Sequence, residues 1–239
     1  MAVVNMPGVG SGENRREAIV AAVWDAICDG RLPPGAKLGE DELARIFEVS
    51  RTIVRDALKE LAFRGIAEIL PQRGAFVARP TVKDADDVYA ARRVIEAAII
   101  EDVAKNCTAN DIRALRAHIE LQAAARKRRD RREFVHLSGD FHLQIARLGG
   151  NRMLAELLEG LVARAAIITT LYLPDGHACV VDEHTRMVDL LAAGKAKECI
   201  ALMKAHLQTN MHAHHFVEEA PQRVDLTAAL TPKSAKTRA

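Results

Sequence analysis

The chain has 239 residues, enough for a sizeable core and for two domains. Hydrophobic residues make up 49% and charged residues 28%, and no apolar run approaches the ~20 residues of a membrane-spanning helix. Net charge is only +2, and residues 1–79 hold 11 Lys/Arg against 11 Asp/Glu, so a nucleic-acid function cannot rest on a global basic field and must rest on placement.

Four cysteines (Cys28, Cys107, Cys179, Cys199) lack paired spacing, which disfavours a disulfide framework or zinc ribbon and fits a reducing compartment. The first residues lack a basic start followed by an apolar run, so no signal peptide is expected. The expectation is a cytoplasmic protein with no membrane partner.

In chain order, residues 1–12 are small and Gly-rich and read as a flexible tail. A helix follows with Ile19, Val20, Val23, Trp24 and Ile27 on one face, ending near Gly30. Leu32-Pro33-Pro34-Gly35 cannot continue a helix. Asp41–Arg64 reads as two short helices meeting at a tight turn. Ser50 suits the N-cap of the second. Val54, Ala57, Leu58 and Leu61 form its core face, and Arg51, Arg55 and Lys59 a basic stripe concentrated towards its start. A helix buried along one side, with arginines at its N-terminal end, is what major-groove reading requires. The bland alternative is a surface helix with solvated charges. From Arg45 to Arg79 there are seven basic residues and four acidic ones, which favours DNA. Ile66–Leu70 and Ala75–Ala78 flank Pro71-Gln72-Arg73-Gly74 and read as a two-stranded hairpin. Three helices and a small hairpin make a winged helix-turn-helix over 13–79, with Arg73 and Gly74 in the wing.

The stretch GRLPPGAKLGEDELARIFEVSRTIVRDALKELAFRGIAEILPQRGAFV resembles the DNA-binding domain of the GntR superfamily of bacterial transcription regulators. The resemblance runs from about Ile19 to Val77. It implies DNA contacts from Arg51, Thr52 and Arg55, and from Arg73 and Gly74 in the wing. The DNA-binding set read from this stretch is Arg45, Ser50, Arg51, Thr52, Arg55, Arg73 and Gly74. The position before Glu42, often an arginine in this family, is Asp41 here. A winged helix used only for protein contacts is the alternative.

Residues 80–83 read as a linker, and 84–216 as six helices with no strand. Punctuation falls at Asn106–Ala109, around Asp130, at Gly149-Gly150, at Pro174-Asp175-Gly176 and at Gly194. Residues 217–239 read as a disordered tail. The basic run Arg126–Arg132 lies at a helix junction and reads as solvated surface, and so does the cluster His212, His214 and His215.

Polar residues on apolar faces carry the remaining signal. Arg92 falls within the stripe Val88, Ala91, Ile95 and Ile99. It either pairs with Glu96 at i+4 or awaits the carboxylate of a small ligand. His142, with Ser138 one turn before it, edges the stripe Phe134, Leu137, Phe141, Ile145 and Leu148. His184 sits amid Val180, Met187 and Leu191, and His206 amid Cys199, Leu202 and Met203. A lone histidine in such a place is usually a satisfied core residue. Three from three helices of one bundle can converge on a divalent metal.

RRVIE, FHLQIARLGGN, EHTRMVDLL and LMKAHL, between about Asp84 and Leu207, resemble the all-helical FCD effector domain of the FadR branch. In metal-binding members of that family the ligands are an aspartate and three histidines. His142, His184 and His206 match the histidines, and Ser138 stands at the aspartate position. Zinc, nickel and manganese are not separated by these ligands, and a metal-free polar pocket is the alternative. Asn151 is an N-cap that, by resemblance, also reaches the ligand pocket.

The fold expected is mainly α: a winged helix-turn-helix followed by an FCD-like bundle. The function expected is a homodimeric repressor of a palindromic double-stranded operator, released by a small carboxylate effector. A metal-dependent enzyme using the three histidines is one competing reading, disfavoured because no general base stands beside His142. A purely architectural DNA-binding protein is another, and it leaves Arg92 and the histidines without a role.

Overall fold

The computed structural model describes residues 12–173, 181–216 and 224–231. They form two compact units, one of residues 12–79 with 224–231 and one of residues 80–173 with 181–216. The expected loose start at 1–11, the junction Pro174-Asp175-Gly176, Cys179, and 217–223 and 232–239 of the expected tail lie outside the described residues.

The first unit runs α1 (Gly12–Cys28), β1 (Lys37–Leu38), α2 (Glu40–Ile46), α3 (Arg51–Phe63), β2 (Ala67–Leu70) and β3 (Gly74–Val77). Ser50 caps α3 as its sequence position suggested, its hydroxyl accepting from Ile53 N at 3.5 Å. The helix buries Val54, Ala57, Leu58 and Leu61 against α1 and β2. It ends at Gly65, whose φ of 73° lets Ile66 N turn back and donate to Leu61 O. The sheet has three strands in the order β1-β3-β2, all antiparallel, with Lys37 opposite Phe76 and Ala67 opposite Val77. The expected hairpin is therefore present, with β1 added at its open edge. Two residues are too few to show alternation, so β1 is invisible in the sequence.

The second unit is six helices: α4 (Val82–Asn106), α5 (Ala109–Arg128), α6 (Arg131–Leu148), α7 (Arg152–Tyr172), α8 (Val181–Ala192) and α9 (Ala196–His212). Its boundaries are set by caps. Thr81 with Asp84 and Thr108 with Asp111 form reciprocal capping boxes, and Asp130 and Asn151 accept from Glu133 N and Leu154 N. The Thr81 box starts α4 at Val82, so the linker expected over 80–83 is shorter than predicted. The core gathers Tyr89, Phe134, Phe141, Ile145, Leu158 and Met187. Most of the Arg126–Arg132 run is exposed. Arg131 differs: its Nη2 donates to the carbonyls of Thr170 and Leu173, each at 2.7 Å, closing the end of α7. His214, expected at the surface, is 7% exposed and packs its ring 5.7 Å from that of Tyr89.

A tenth helix, α10 (Leu226–Leu230), corrects the reading of 217–239 as disordered for the part of it that is described. Asp225 caps it through Thr227 N and Ala228 N. Leu226, Ala229 and Leu230 are buried against α1 and α2, and Arg31 Nη1 donates to Ala229 O. A five-residue helix has too few periodic positions to register in sequence, and it is stable only because it is docked. Replacing Leu226 or Leu230 by alanine is expected to cost about 2 kcal/mol each. Urea unfolding reads this directly, and two variants indistinguishable from the parent would mean that the helix contributes nothing to the fold.

Candidate functional site

Three helices bring the predicted histidines together. His142 comes from α6, His184 from α8 and His206 from α9, and all are at most 3% exposed. Their ring centroids are 4.9–5.4 Å apart, and one nitrogen of each lies within 4.8 Å of the others. Phe141 stacks on His184 at 3.9 Å and fixes that ring.

Each imidazole is oriented through Nδ1. His142 Nδ1 donates to Glu96 Oε2 at 2.6 Å, His206 Nδ1 to Glu183 Oε2 at 2.6 Å, and His184 Nδ1 to Gln122 Oε1 at 2.9 Å. With Nδ1 so committed, Nε2 is the nitrogen that would coordinate a cation. Burial drives the His142 pKa down to about 4 against the pull of Glu96, and drives that of His184 well below its ordinary value. Both rings are therefore neutral at pH 7, as metal binding demands. Burial opposes the charge on Glu96, but the Arg92 guanidinium and then His142 outweigh it and hold its pKa at about 2.

These residues fit a divalent metal: three imidazole donors backed by two carboxylates and an amide. Such a cation would supply a Lewis-acidic centre for an anionic ligand. Asn210 Nδ2 now donates to His206 Nε2 at 3.0 Å, a bond that a cation on that nitrogen would have to displace. Gln122 and Glu183 are functional residues that periodicity missed, and Glu96, read from the sequence only as a partner of Arg92, also holds His142. Glu96, Gln122 and Glu183 each lie on a different helix from the ring that they hold, which sequence spacing cannot report, whereas Asn210 stands at i+4 from His206 on one helix.

Beside the cluster lies a cavity of about 50 Å³, lined among others by Tyr89, Arg92, Ser138, His142, Thr169 and Asn210. Arg92 makes the i+4 pair with Glu96. Its Nε donates to Glu96 Oε1 at 2.7 Å, while its buried Nη2 has no hydrogen-bond partner among the described residues. Asn210 Oδ1 is likewise buried and unpartnered. Unmade buried hydrogen bonds are costly, which sets these two atoms apart from the satisfied polar groups around them. Ser138, half-buried, faces the same space. Asn151 does not: it is exposed and spends its side chain capping α7, which corrects its assignment to the pocket.

The predicted DNA-facing residues Arg45, Ser50, Arg51, Thr52, Arg55, Arg73 and Gly74 are all exposed on the first unit. The Ser50 hydroxyl is occupied by its cap, and the Arg73 guanidinium lies 5.6 Å over the Phe76 ring. Asp41 binds Arg51 Nε at 2.7 Å, and Glu40 binds Arg55 Nε at 2.8 Å.

A winged-helix unit and a separate all-helical unit, the latter with a polar cavity lined in part by Arg92 and His142, are the make-up of a DNA-binding transcription regulator with a regulatory domain. Comparison with known families gives the particular one. Residues 15–77 match the bacterial regulatory proteins of the gntR family and residues 87–209 match the FCD domain. The chain belongs to the GntR family of transcription regulators, in the group that carries an FCD domain. It is 26% identical to the HTH-type transcriptional repressor RspR of Escherichia coli K12, over 74% of this chain and 78% of that protein. It is 29% identical to a D-xylose utilization operon repressor of Paenarthrobacter nicotinovorans, over 82% and 88%. A GntR transcriptional regulator from Rhodococcus sp. RHA1 superposes with a TM-score of 0.67 at 25% identity, over 83% of this chain and 96% of that one. These relatives are regulators, so the competing enzyme reading is set aside. Among the described residues no helix is long and apolar enough to cross a membrane.

Proposed function

We propose that the protein is a homodimeric repressor that leaves a palindromic operator when a small carboxylate occupies the cavity beside a metal held by His142, His184 and His206. The observation that carries the reading is Arg92 Nη2, buried and unpartnered among the described residues, next to three converging histidines. A carboxylate can take one oxygen to Arg92 and the other towards the cation, supplying the negative charge that Ser138 cannot. The small cavity, about 50 Å³, favours a carboxyl group with a short body. The repressor names of two relatives favour repression over activation.

Dimerisation follows from the need to read two half-sites, since a single winged helix buries too little surface for specific binding. Exposed Val94 on α4 and Met153 and Leu157 on α7 suit the contact, and α4 and α7 pack together within the unit. Release is a population shift: the ligand prefers an arrangement of the two DNA-reading heads that fits the operator less well. A protein acting on bacterial DNA works in the cytoplasm.

The test is operator release, read by mobility shift, on titration of short mono- and dicarboxylic acids with zinc, nickel or manganese present. At least one acid should release DNA from the parent. Arg92→Lys keeps a cation for Glu96 but loses the Nη2 donor, and its half-effective concentration should rise at least about tenfold, as for a lost charge-assisted hydrogen bond. An unchanged response in the variant would show that Arg92 is only a structural partner of Glu96.

A further inference from the structure

The reading face of the winged-helix unit carries carboxylates where phosphates must approach. Glu40, Asp41 and Glu42 form the first turn of α2, and Asp225 lies on the same concavity as Lys37, Arg45 and Arg51. Asp41 Oδ1 holds Arg51 Nε at 2.7 Å, with side chains 71% and 65% exposed. Glu40 holds Arg55 Nε at 2.8 Å in an aligned hydrogen bond, whereas the Asp41–Arg51 contact is an ion pair. Exposed ion pairs contribute little to stability, so the fold does not account for two of them placed side by side on one functional face.

We propose that Asp41 is a specificity-determining residue that positions Arg51 and withholds it from phosphates. This rests on the reading of α3 as the DNA-contacting helix. A carboxylate at Nε leaves the end-on pair of Nη nitrogens for the O6 and N7 edge of a guanine, the geometry of the commonest specific base contact. The same carboxylate cancels the positive charge that Arg51 would bring to the backbone. Non-specific binding comes from phosphate neutralisation and counterion release, so an arginine already paired adds little to it. Base reading survives the pairing because it depends on donor geometry more than on net charge. Asp41 therefore lowers affinity for random DNA more than affinity for the operator. Glu40 places Arg55 under the same constraint.

The experiment uses the full-length protein and a labelled random-sequence duplex, with anisotropy read from 50 to 200 mM salt. Asp41→Asn keeps the shape and removes the charge. It is expected to bind the random duplex roughly three- to tenfold more tightly and to steepen the slope of log K against log salt by about 0.9, one phosphate's worth. Asp41→Glu should stay near the parent. In an Arg51→Ala background the Asp41→Asn gain should vanish, because Asp41 acts through Arg51. Sequences selected in vitro by Asp41→Asn should be less constrained than those selected by the parent. A gain that persists without Arg51, or an unchanged slope, overturns the role of Asp41 alone. No loss of selected-site binding on Arg51→Ala overturns the reading of α3, and the proposal falls with it.

Discussion

Replacing Arg51 and Arg55 together by alanine is expected to lower operator affinity by roughly 30-fold to 10⁴-fold for each reading helix engaged, and so by at least about 10³-fold for a dimer. A bidentate arginine–guanine contact is worth about 1–3 kcal/mol, and two such contacts are removed from each reading helix. The fold should not notice. Both side chains are exposed, and the buried face of α3 formed by Val54, Ala57, Leu58 and Leu61 is untouched. Surface changes of this kind stay within about 0.5 kcal/mol of the parent in stability. Arg73→Ala in the wing should behave differently, weakening operator and random DNA by similar factors, as a phosphate contact does. Anisotropy with both duplexes separates the two patterns. If the double variant retained the parent's preference for operator over random DNA, α3 would not be the reading helix.

The second large effect concerns the metal. The untagged protein is expected to carry about one divalent ion per chain, and a variant with His142, His184 and His206 all replaced by alanine to carry none, by elemental mass spectrometry. Equal residual metal in both would leave a metal-free cavity around Arg92. Glu96→Gln tests the support behind the ligand. It keeps a hydrogen-bonding oxygen near His142 Nδ1 but loses the charge, and such changes lower metal affinity about 10- to 100-fold.

Acid gives an independent check on the metal-free protein. The folded pKa of His142 lies at about 4, below the 6.5 of a free imidazole, so below pH 6.5 the unfolded chain binds the extra proton and the folded chain does not. Stability is therefore full above pH 6.5 and falls by on the order of 3 kcal/mol by pH 4. His184, lowered in the same direction, deepens the loss. Glu96, at about 2 against an ordinary 4.5, adds a further loss as pH drops from 4.5 towards 2. Denaturant midpoints measured from pH 7.5 to 4 with chelator should slope downwards with acid. A flat profile would mean that the histidines are solvated.

The sequence by itself determined whatever repeats along one element or is punctuated by a cap. It defined α3 through Ser50, Gly65 and the period of Val54, Ala57, Leu58 and Leu61. It defined the wing through Pro71–Gly74, and the placement of His142, His184 and His206 on inward faces of separate helices. These features are local, set by the 3.6-residue period and by turn chemistry. Tertiary structure alone decided the rest. It added β1 to the wing, because a two-residue strand exists only by pairing. It docked α10, whose five residues have no helical stability of their own. It kept Asn151 at its cap and put Asn210 at the cavity. Above all, it matched Glu96, Gln122 and Glu183 with imidazoles 46, 62 and 23 residues away and left Arg92 Nη2 without a partner. Which polar atoms a bundle satisfies depends on how its helices pack, and no periodicity within a single helix encodes that.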